Sequence, residues 1–379
     1  MKSGHMLSID VVRFLASVSV AYYHLGFKAF SARSDELYQF TTHHLGYDGQ
    51  FRLSSFGWIG VQIFFVISGF VIAFSLGAGA GPRPYARRRI LRLAPAVWII
   101  VPICLAIAVV CFGDPVATST LAAARTAAFL PLGPWLLGQF WTLPIEIAFY
   151  VGVGVLIGLG RTDQLERFGW ALAAISAAYW LGDAYFHFGP RGQRIVQLAL
   201  LQHGIFFAIG IVLYNAAANG LTTARMIFLA ACCVPAFLQI GWAAQWEMPT
   251  VEPVERTCVS FAIWLAATFM LLSATQAAAT QAASTPNAPR LAAVVRLMGL
   301  ATYPLYLLHY HLGGVILIAV LSVGAPPAVA IAIALVASIA AAACIAHYGE
   351  PPLRAGLSRI LGAIGLGTAP QAAAVGSTP

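Results

Sequence analysis

Ten long apolar stretches, separated by short polar ones, make up most of the chain. Each has about the 20 residues that an α-helix needs to cross the hydrocarbon core of a bilayer. The pattern predicts an all-α polytopic membrane protein with about ten transmembrane helices, over residues 7–26, 57–77, 93–113, 138–158, 168–187, 195–215, 225–243, 257–275, 294–320 and 327–348. No internal repeat is visible in the sequence, which counts against transporters built from inverted repeats.

Composition agrees with an integral membrane protein. Of the 379 residues, 60% are hydrophobic and only 9% are charged, whereas soluble domains have roughly 25% charged residues. The net charge of +8 does not indicate a nucleic-acid partner, because the basic residues lie in short loops between apolar stretches. The six cysteines are scattered and form no Cys-x-x-Cys pair, so we expect neither a disulfide framework nor a metal site.

The distribution of lysine and arginine predicts the orientation of the chain. With the N-terminus inside, 13 of the 21 basic residues lie on the inner side and seven on the outer side, and Arg13 lies within the first helix. Because basic loops favour the cytoplasmic side, both termini are predicted to be cytoplasmic. We expect one transmembrane domain over residues 7–350, with a flexible inner linker over 273–289, and a short, largely disordered cytoplasmic tail over 351–379.

The first predicted helix contains Arg13 and His24, eleven positions apart. In an α-helix this separation is about three turns, so both side chains lie on one face, roughly 16 Å apart along the axis. Charged side chains within a membrane span are costly and usually face a bundle interior or a water-filled cavity. Alternatively, Arg13 reaches the inner interface and His24 only marks the outer end of the helix. Their position on one face favours a functional role.

Other polar residues also lie within predicted helices. Glu146 lies at a depth comparable to that of His24, and a carboxylate can fix the tautomer of an imidazole that acts as a general base. We therefore predict a pair between His24 and Glu146. Ser68 lies near mid-membrane, where ordinary small-residue packing is the alternative to a functional role. His309 and His311 point to different faces of their helix, so we expect only one of them to line a cavity.

A cluster of arginines precedes the third predicted helix. Arg89 and Arg92 are three positions apart, so they project together, and guanidinium groups bind phosphate in a bidentate manner. The pair is typical of a site for a phosphate-bearing cytosolic ligand, although positive-inside anchoring explains it equally well. The sequence contains no P-loop, dinucleotide-binding or zinc deaminase motif, so nucleotide hydrolysis, dinucleotide redox chemistry and zinc deamination lack support.

Five stretches resemble, in order, the motifs of the acyltransferase-3 family of integral membrane O-acyltransferases. They are IDVVRFLASVSVAYYH, GWIGVQIFFVISGFVIA, RRRILRLAPAVW, FWTLPIEIAFY and YPLYLLH, within a resemblance that extends from Leu7 to about Arg354. The fourth stretch departs from the family pattern at Pro144, where serine is common, and at Ile147, where a second acidic residue is often found. Glu146 is therefore the only carboxylate in that stretch.

The resemblance implies a multi-pass enzyme of the bacterial inner membrane. Such an enzyme transfers an acyl group, usually acetyl, from cytoplasmic acyl-CoA to a hydroxyl of an extracytoplasmic glycan or glycolipid. Acetyl-CoA or another acyl-CoA is then the co-substrate, membrane lipids and the glycan are the partners, and no metal is implied. Carried over to this sequence, the catalytic residues are His24, Glu146 and Arg13, the acyl-CoA contacts are Arg88, Arg89, Arg92 and Ser68, and the acceptor contacts are Trp141, Tyr150 and His309.

Two other functions fit the same residues. A transporter or lipid-linked sugar flippase would use Arg13, His24 and Glu146 to bind substrate or to relay protons. A non-catalytic partner in polysaccharide assembly would need none of them for chemistry. Of the three, only the enzyme predicts CoA release that disappears in His24→Ala. For the enzyme, direct transfer with His24 as base is favoured over a covalent acyl-enzyme.

Overall fold

The computed structural model describes residues 4–33, 35–45, 52–76, 81–188, 193–280 and 289–366. Within these ranges the chain folds into helices joined by short connections, and no strand occurs. The principal helices, numbered in chain order, are α1 Gly4–Tyr22, α2 Gly60–Leu76, α3 Pro82–Val110, α4 Val116–Ala127, α5 Thr142–Gly158, α6 Leu165–Phe186, α7 Gln193–Leu198, α8 Gly204–Asn219, α9 Thr223–Glu247, α10 Pro253–Thr280, α11 Pro289–Ser322, α12 Pro327–Cys344 and α13 Glu350–Leu361.

Seven helical stretches in this part of the chain are long and apolar enough to cross a membrane. By length and composition they are Arg52–Leu76, Pro82–Val110, Gly138–Gly158, Thr223–Glu247, Pro253–Ala274, Arg290–Ser322 and Pro327–Leu366. The prediction of an all-α polytopic protein is therefore confirmed. The other three predicted spans coincide with α1, α6 and the shorter apolar helix α8, so the total of ten spans stays a prediction.

One predicted span is broken in the structure. Residues 195–215 were expected to form a single helix, but residues 199–203 separate α7 from α8. Irregular backbone within a membrane protein is tolerated where it is buried in protein or lines a cavity. Helix α6 supplies donors to the break, the Ser176 hydroxyl to the Leu201 carbonyl at 2.7 Å and the Trp180 indole to the Gln202 carbonyl at 3.0 Å.

Close contacts through glycine hold α2 against α8. A Cβ atom added at Gly69 would lie 2.1 Å from the carbonyl oxygen of Phe207, and one added at Gly210 would lie 1.9 Å from that of Val66. No real Cβ contact is this short, so only glycine fits at both positions. Helix α1 packs against both α2 and α11, and these three helices carry Arg13, Ser68 and His309 among the residues described below.

The end of the chain differs from the prediction. Helix α13 covers much of the stretch expected to be a disordered tail, and Leu357 and Leu361 pack against Ala94 of α3. That expectation is therefore wrong for residues 351–366, and residues 367–379 lie outside the described residues. Helix α10 likewise continues through part of the predicted linker, of which residues 281–288 lie outside the described residues.

Candidate active site

His24 lies where α1 changes its helical geometry. After Tyr22 the helix continues as a π-helical segment, Tyr23–Lys28, and then as one further α-turn. Such segments are rare and occur frequently at functional sites, because the wider turn redirects the side chains within it. The sequence reveals that His24 lies within an apolar span, but not this local widening.

The ring nitrogens of His24 and His309 form a chain of hydrogen bonds. Nδ1 of His309 lies 3.0 Å from the carbonyl oxygen of Leu305, and a carbonyl only accepts, so this nitrogen carries a proton. Nε2 of neutral His309 is then an acceptor, 3.1 Å from Nδ1 of His24, which also lies 3.0 Å from the Val20 carbonyl. Nδ1 of His24 is therefore the donor, and its Nε2 keeps a free lone pair.

Two polar clusters flank His24. The Tyr23 hydroxyl donates to the Glu247 carboxylate at 2.6 Å, and the Lys28 amino group lies 3.3 Å from the same carboxylate. On another side, the Tyr310 hydroxyl donates to Asp35 at 2.9 Å, and the Tyr310 ring meets that of His24 edge to face at 5.8 Å. The pKa of the Asp35 carboxyl is raised, because the effect of burial exceeds the opposing effects of the Tyr310 hydrogen bond and the Lys28 charge.

These groups line a large cavity, which we call the histidine cavity. It has a volume of about 750 Å³. Its walls combine aromatic rings with polar side chains, and they include Tyr23, His24, Lys28, Asp35, Trp58, Gln62, Trp135, Gln139, Trp141, His203, Gln239, Trp242, Trp246, Glu247, Tyr310 and His311. A cavity of this size with a few convergent polar groups is typical of a small-molecule site.

A second, smaller cavity of about 60 Å³ lies beside it, and we call it the arginine cavity. Arg13, Arg92, Ser68 and Glu146 line it together with several phenylalanines. Glu146 accepts hydrogen bonds from Ser68 and from Tyr150, each at 2.5 Å. The carboxylate is thus held by two hydroxyls in a cavity that also contains two guanidinium groups.

The histidine and arginine cavities share two wall residues, Val61 of α2 and Tyr306 of α11. The hydroxyl of Tyr306 lies 3.0 Å from that of Thr142 and donates to the Gln139 carbonyl at 3.0 Å. These contacts fix the tyrosine between the two cavities. A ligand that extends from one cavity into the other would have to pass these two side chains.

The predicted pair of His24 and Glu146 is not formed. His24 contacts His309 and lines the histidine cavity, whereas Glu146 contacts Ser68 and Tyr150 and lines the arginine cavity. Comparable depth along two helices did not make them neighbours. The carboxylate instead lies beside the arginines, and His309 and the Val20 carbonyl hold the tautomer of His24.

The arginine pair predicted before the third helix divides between two environments. Arg89 is buried, donates to Ser75 at 3.0 Å, and lies over the rings of Tyr85 and Tyr150 at 5.4 and 5.3 Å. Arg92 lines the arginine cavity. Arg89 and Arg92 do not project together into one cavity, because the Arg89 guanidinium packs against two tyrosine rings. Arg88 is half-buried outside both cavities.

The three predicted acceptor residues lie in different environments. Trp141 lines the histidine cavity, as does His311, whereas Tyr150 belongs with Glu146 and Arg89. His309 is fully buried against His24 and does not line either cavity. Only Trp141 of the three predicted acceptor residues therefore lies in the wall of the histidine cavity.

Sequence reasoning missed one wall of the histidine cavity. Helix α9 presents to it Gln239, Trp242, Ala243, Trp246 and Glu247. These positions follow the i, i+3, i+4, i+7, i+8 spacing of a single helix face. Polar and aromatic residues at that spacing, at the outer end of a predicted span, are the signal that could have revealed this wall.

Fold and site together define a polytopic α-helical membrane protein with two adjoining cavities. Comparison with known families identifies the family of the chain. The family model described as an acyltransferase domain, that of the acyltransferase-3 family, matches residues 6–347. The chain therefore belongs to this family and is an acyltransferase of the membrane type. No curated protein and no solved structure matches the chain.

Proposed function

We propose that the protein transfers an acyl group, acetyl in the first instance, from acyl-CoA on the cytoplasmic side to a hydroxyl of an extracytoplasmic glycan or glycolipid in the bacterial inner membrane. The observation that carries this proposal is the pair of adjoining cavities. One contains arginines and the other contains a histidine base and aromatic rings, and they meet at Val61 and Tyr306. A donor and an acceptor that approach from opposite sides could meet there.

The arginine cavity supports the donor side of the reaction. Arg13 and Arg92 would contact the thioester or the polar pantetheine arm, and Phe64 and Phe65 line the same cavity. Glu146 lies among these charges, held by Ser68. Its role in the proposal is to fix the guanidinium groups electrostatically. It does not contact the base.

The base is His24. Its Nε2 has the free lone pair, because Nδ1 donates to His309 and Val20, and general-base catalysis requires an unprotonated nitrogen within reach of the hydroxyl. In the direct transfer, the acceptor oxygen attacks the thioester carbonyl carbon while Nε2 takes the hydroxyl proton. The carbon–sulfur bond then breaks, and the leaving thiolate takes that proton from His24 to give CoA.

The test is acyl transfer by purified protein in lipid nanodiscs. Wild type releases CoA from acetyl-CoA when an extract of bacterial surface glycan is present, and mass spectrometry finds an acetyl-sized increment on the glycan. His24→Ala lowers the rate by about 10²- to 10⁴-fold, the usual contribution of a general base. His347→Ala is the matched control, because His347 lines neither cavity, and it leaves the rate unchanged.

Three outcomes would contradict the proposal. Movement of an unmodified glycolipid without CoA release would indicate a transporter. Acylation that continues unchanged in His24→Ala would indicate a different base or a non-catalytic role. A stable acetyl group on the protein after incubation with acetyl-CoA alone would replace the direct transfer with a covalent acyl-enzyme.

A further inference from the structure

Three buried side chains in the wall of the histidine cavity have unpaired polar atoms. Gln62, His203 and Gln239 are at most 2% exposed, and all three line the cavity. Among the described residues, Oε1 of Gln62, both ring nitrogens of His203 and both amide atoms of Gln239 have no hydrogen-bond partner. Buried polar groups in folded proteins are nearly always paired, so such a cluster needs an explanation.

The three side chains come from separate parts of the fold. Gln62 lies in α2, His203 lies in the break between α7 and α8, and Gln239 lies in α9. The break is what brings His203 to the cavity, and its ring lies between those of Phe65 and Trp141, at 5.0 and 5.7 Å. Their convergence on one cavity is therefore a product of the tertiary fold.

The chemistry of these groups identifies the kind of ligand. Two amides and an imidazole both donate and accept hydrogen bonds, as sugar hydroxyls do. The ionic groups of the cavity already have partners, since Lys28 pairs with Glu247 and Asp35 accepts a hydrogen bond from Tyr310. The rings of Trp141 and Trp242, in the same wall, offer flat apolar surfaces that suit the C–H face of a pyranose.

We infer that Gln62, His203 and Gln239 form a binding subsite for an uncharged sugar ring, which we call the glutamine subsite. The inference rests on the proposed function, since the sugar is part of the acceptor, and it names the chemical class of that acceptor. The subsite binds and orients the ring beside Trp141 and Trp242. His24, in the same cavity, acts on one of its hydroxyls.

Binding is measured first, without any acyl donor. Wild-type protein in nanodiscs is titrated with glucose, galactose, mannose, N-acetylglucosamine and glucuronate, and binding is followed by tryptophan fluorescence. At least one uncharged sugar quenches the emission, and glucuronate binds at least about tenfold more weakly. Gln239→Leu and Gln62→Leu each raise the Kd of the uncharged sugar by about tenfold or more. Gln245→Leu, on the same helix but outside the histidine cavity, leaves the Kd unchanged.

Thermal stability gives a second, independent readout. Gln239→Leu removes only unpaired polar atoms, so its Tm is equal to or above that of wild type. Gln139→Leu removes a donor that lies 2.6 Å from the Leu307 carbonyl, so its Tm falls. A clear loss of Tm in Gln239→Leu would show that the amide has a structural role, and that result would overturn the subsite.

The remaining outcomes separate the subsite from the acyl transfer. Failure of every uncharged sugar to bind wild type, or an unchanged Kd in both glutamine variants, would overturn the subsite. Normal sugar binding with no acetyl transfer would contradict the proposed function and leave the subsite intact. Acetyl transfer with an unchanged acceptor KM in Gln239→Leu would overturn the subsite and leave the proposed function intact.

Discussion

His24 and His309 illustrate how single hydrogen bonds select the chemistry of a residue. A neutral imidazole has one protonated nitrogen, and the contacts around the ring decide which one it is. Here the Leu305 carbonyl fixes the tautomer of His309, and Nε2 of His309 and the Val20 carbonyl together fix that of His24. The result is a free Nε2 on His24, which lines the histidine cavity. Loss of the His309 contact would leave Nδ1 of His24 with the Val20 carbonyl alone and would remove the ring that packs against it.

His309→Leu therefore separates positioning from binding. The variant keeps the volume of the side chain but removes one of the two acceptors for Nδ1 of His24, so that only the Val20 carbonyl remains, and we expect kcat to fall about 10- to 100-fold at an unchanged KM for acyl-CoA. His309→Gln restores an acceptor near the position of Nε2 and recovers part of the rate. Steady-state kinetics of the three proteins in nanodiscs is the measurement. Equal kcat values for wild type and His309→Leu would exclude the positioning role.

At the scale of helices, α2 contributes to both cavities. Val61 and Gln62 line the histidine cavity, and Ser68 lines the arginine cavity. Close glycine contacts fix the distance of α2 from α8, as in membrane helix pairs where small residues let backbones approach. A change in this distance would move the walls of both cavities together.

Gly210→Ala tests this dependence. The new Cβ would lie 1.9 Å from the Val66 carbonyl oxygen, so α2 and α8 must separate, and overpacking of this kind costs about 1–3 kcal/mol. We expect a lower Tm in detergent and a lower rate of acyl transfer. Gly158→Ala is the matched control, because its Cβ meets no atom within 4 Å. Equal Tm values for the two variants would contradict the close-packing argument.

The same helices show what the sequence could and could not predict. Apolar length revealed the helices, and costly polar residues within them revealed Arg13, His24 and Glu146 as candidates. Sequence gives the depth of a residue but not which helices touch. The predicted pairing of His24 with Glu146 is therefore wrong, and His24 contacts His309 instead. The break at residues 199–203 also escaped prediction, because its carbonyls are satisfied by α6, and that contact is invisible in a local pattern.

For the whole molecule, the proposed reaction requires that the two cavities face opposite sides of the membrane. Thr250 lies in the connection after α9, close in sequence to Trp246 and Glu247 in the wall of the histidine cavity. The connection between α5 and α6, which contains Thr162, lies at the other end of α5 from Trp141. With cytoplasmic termini, the first connection is extracytoplasmic and the second is cytoplasmic.

Thr250→Cys and Thr162→Cys test this orientation as a matched pair, since both threonines are exposed. Each is introduced into a variant without the six native cysteines, after the transfer activity of that variant has been verified. A membrane-impermeant maleimide added to intact spheroplasts labels Thr250→Cys at once and labels Thr162→Cys only after permeabilisation. The reverse pattern would place the histidine cavity on the cytoplasmic side. His24 would then act on the side of the acyl-CoA pool, and transfer to an extracytoplasmic glycan would be excluded.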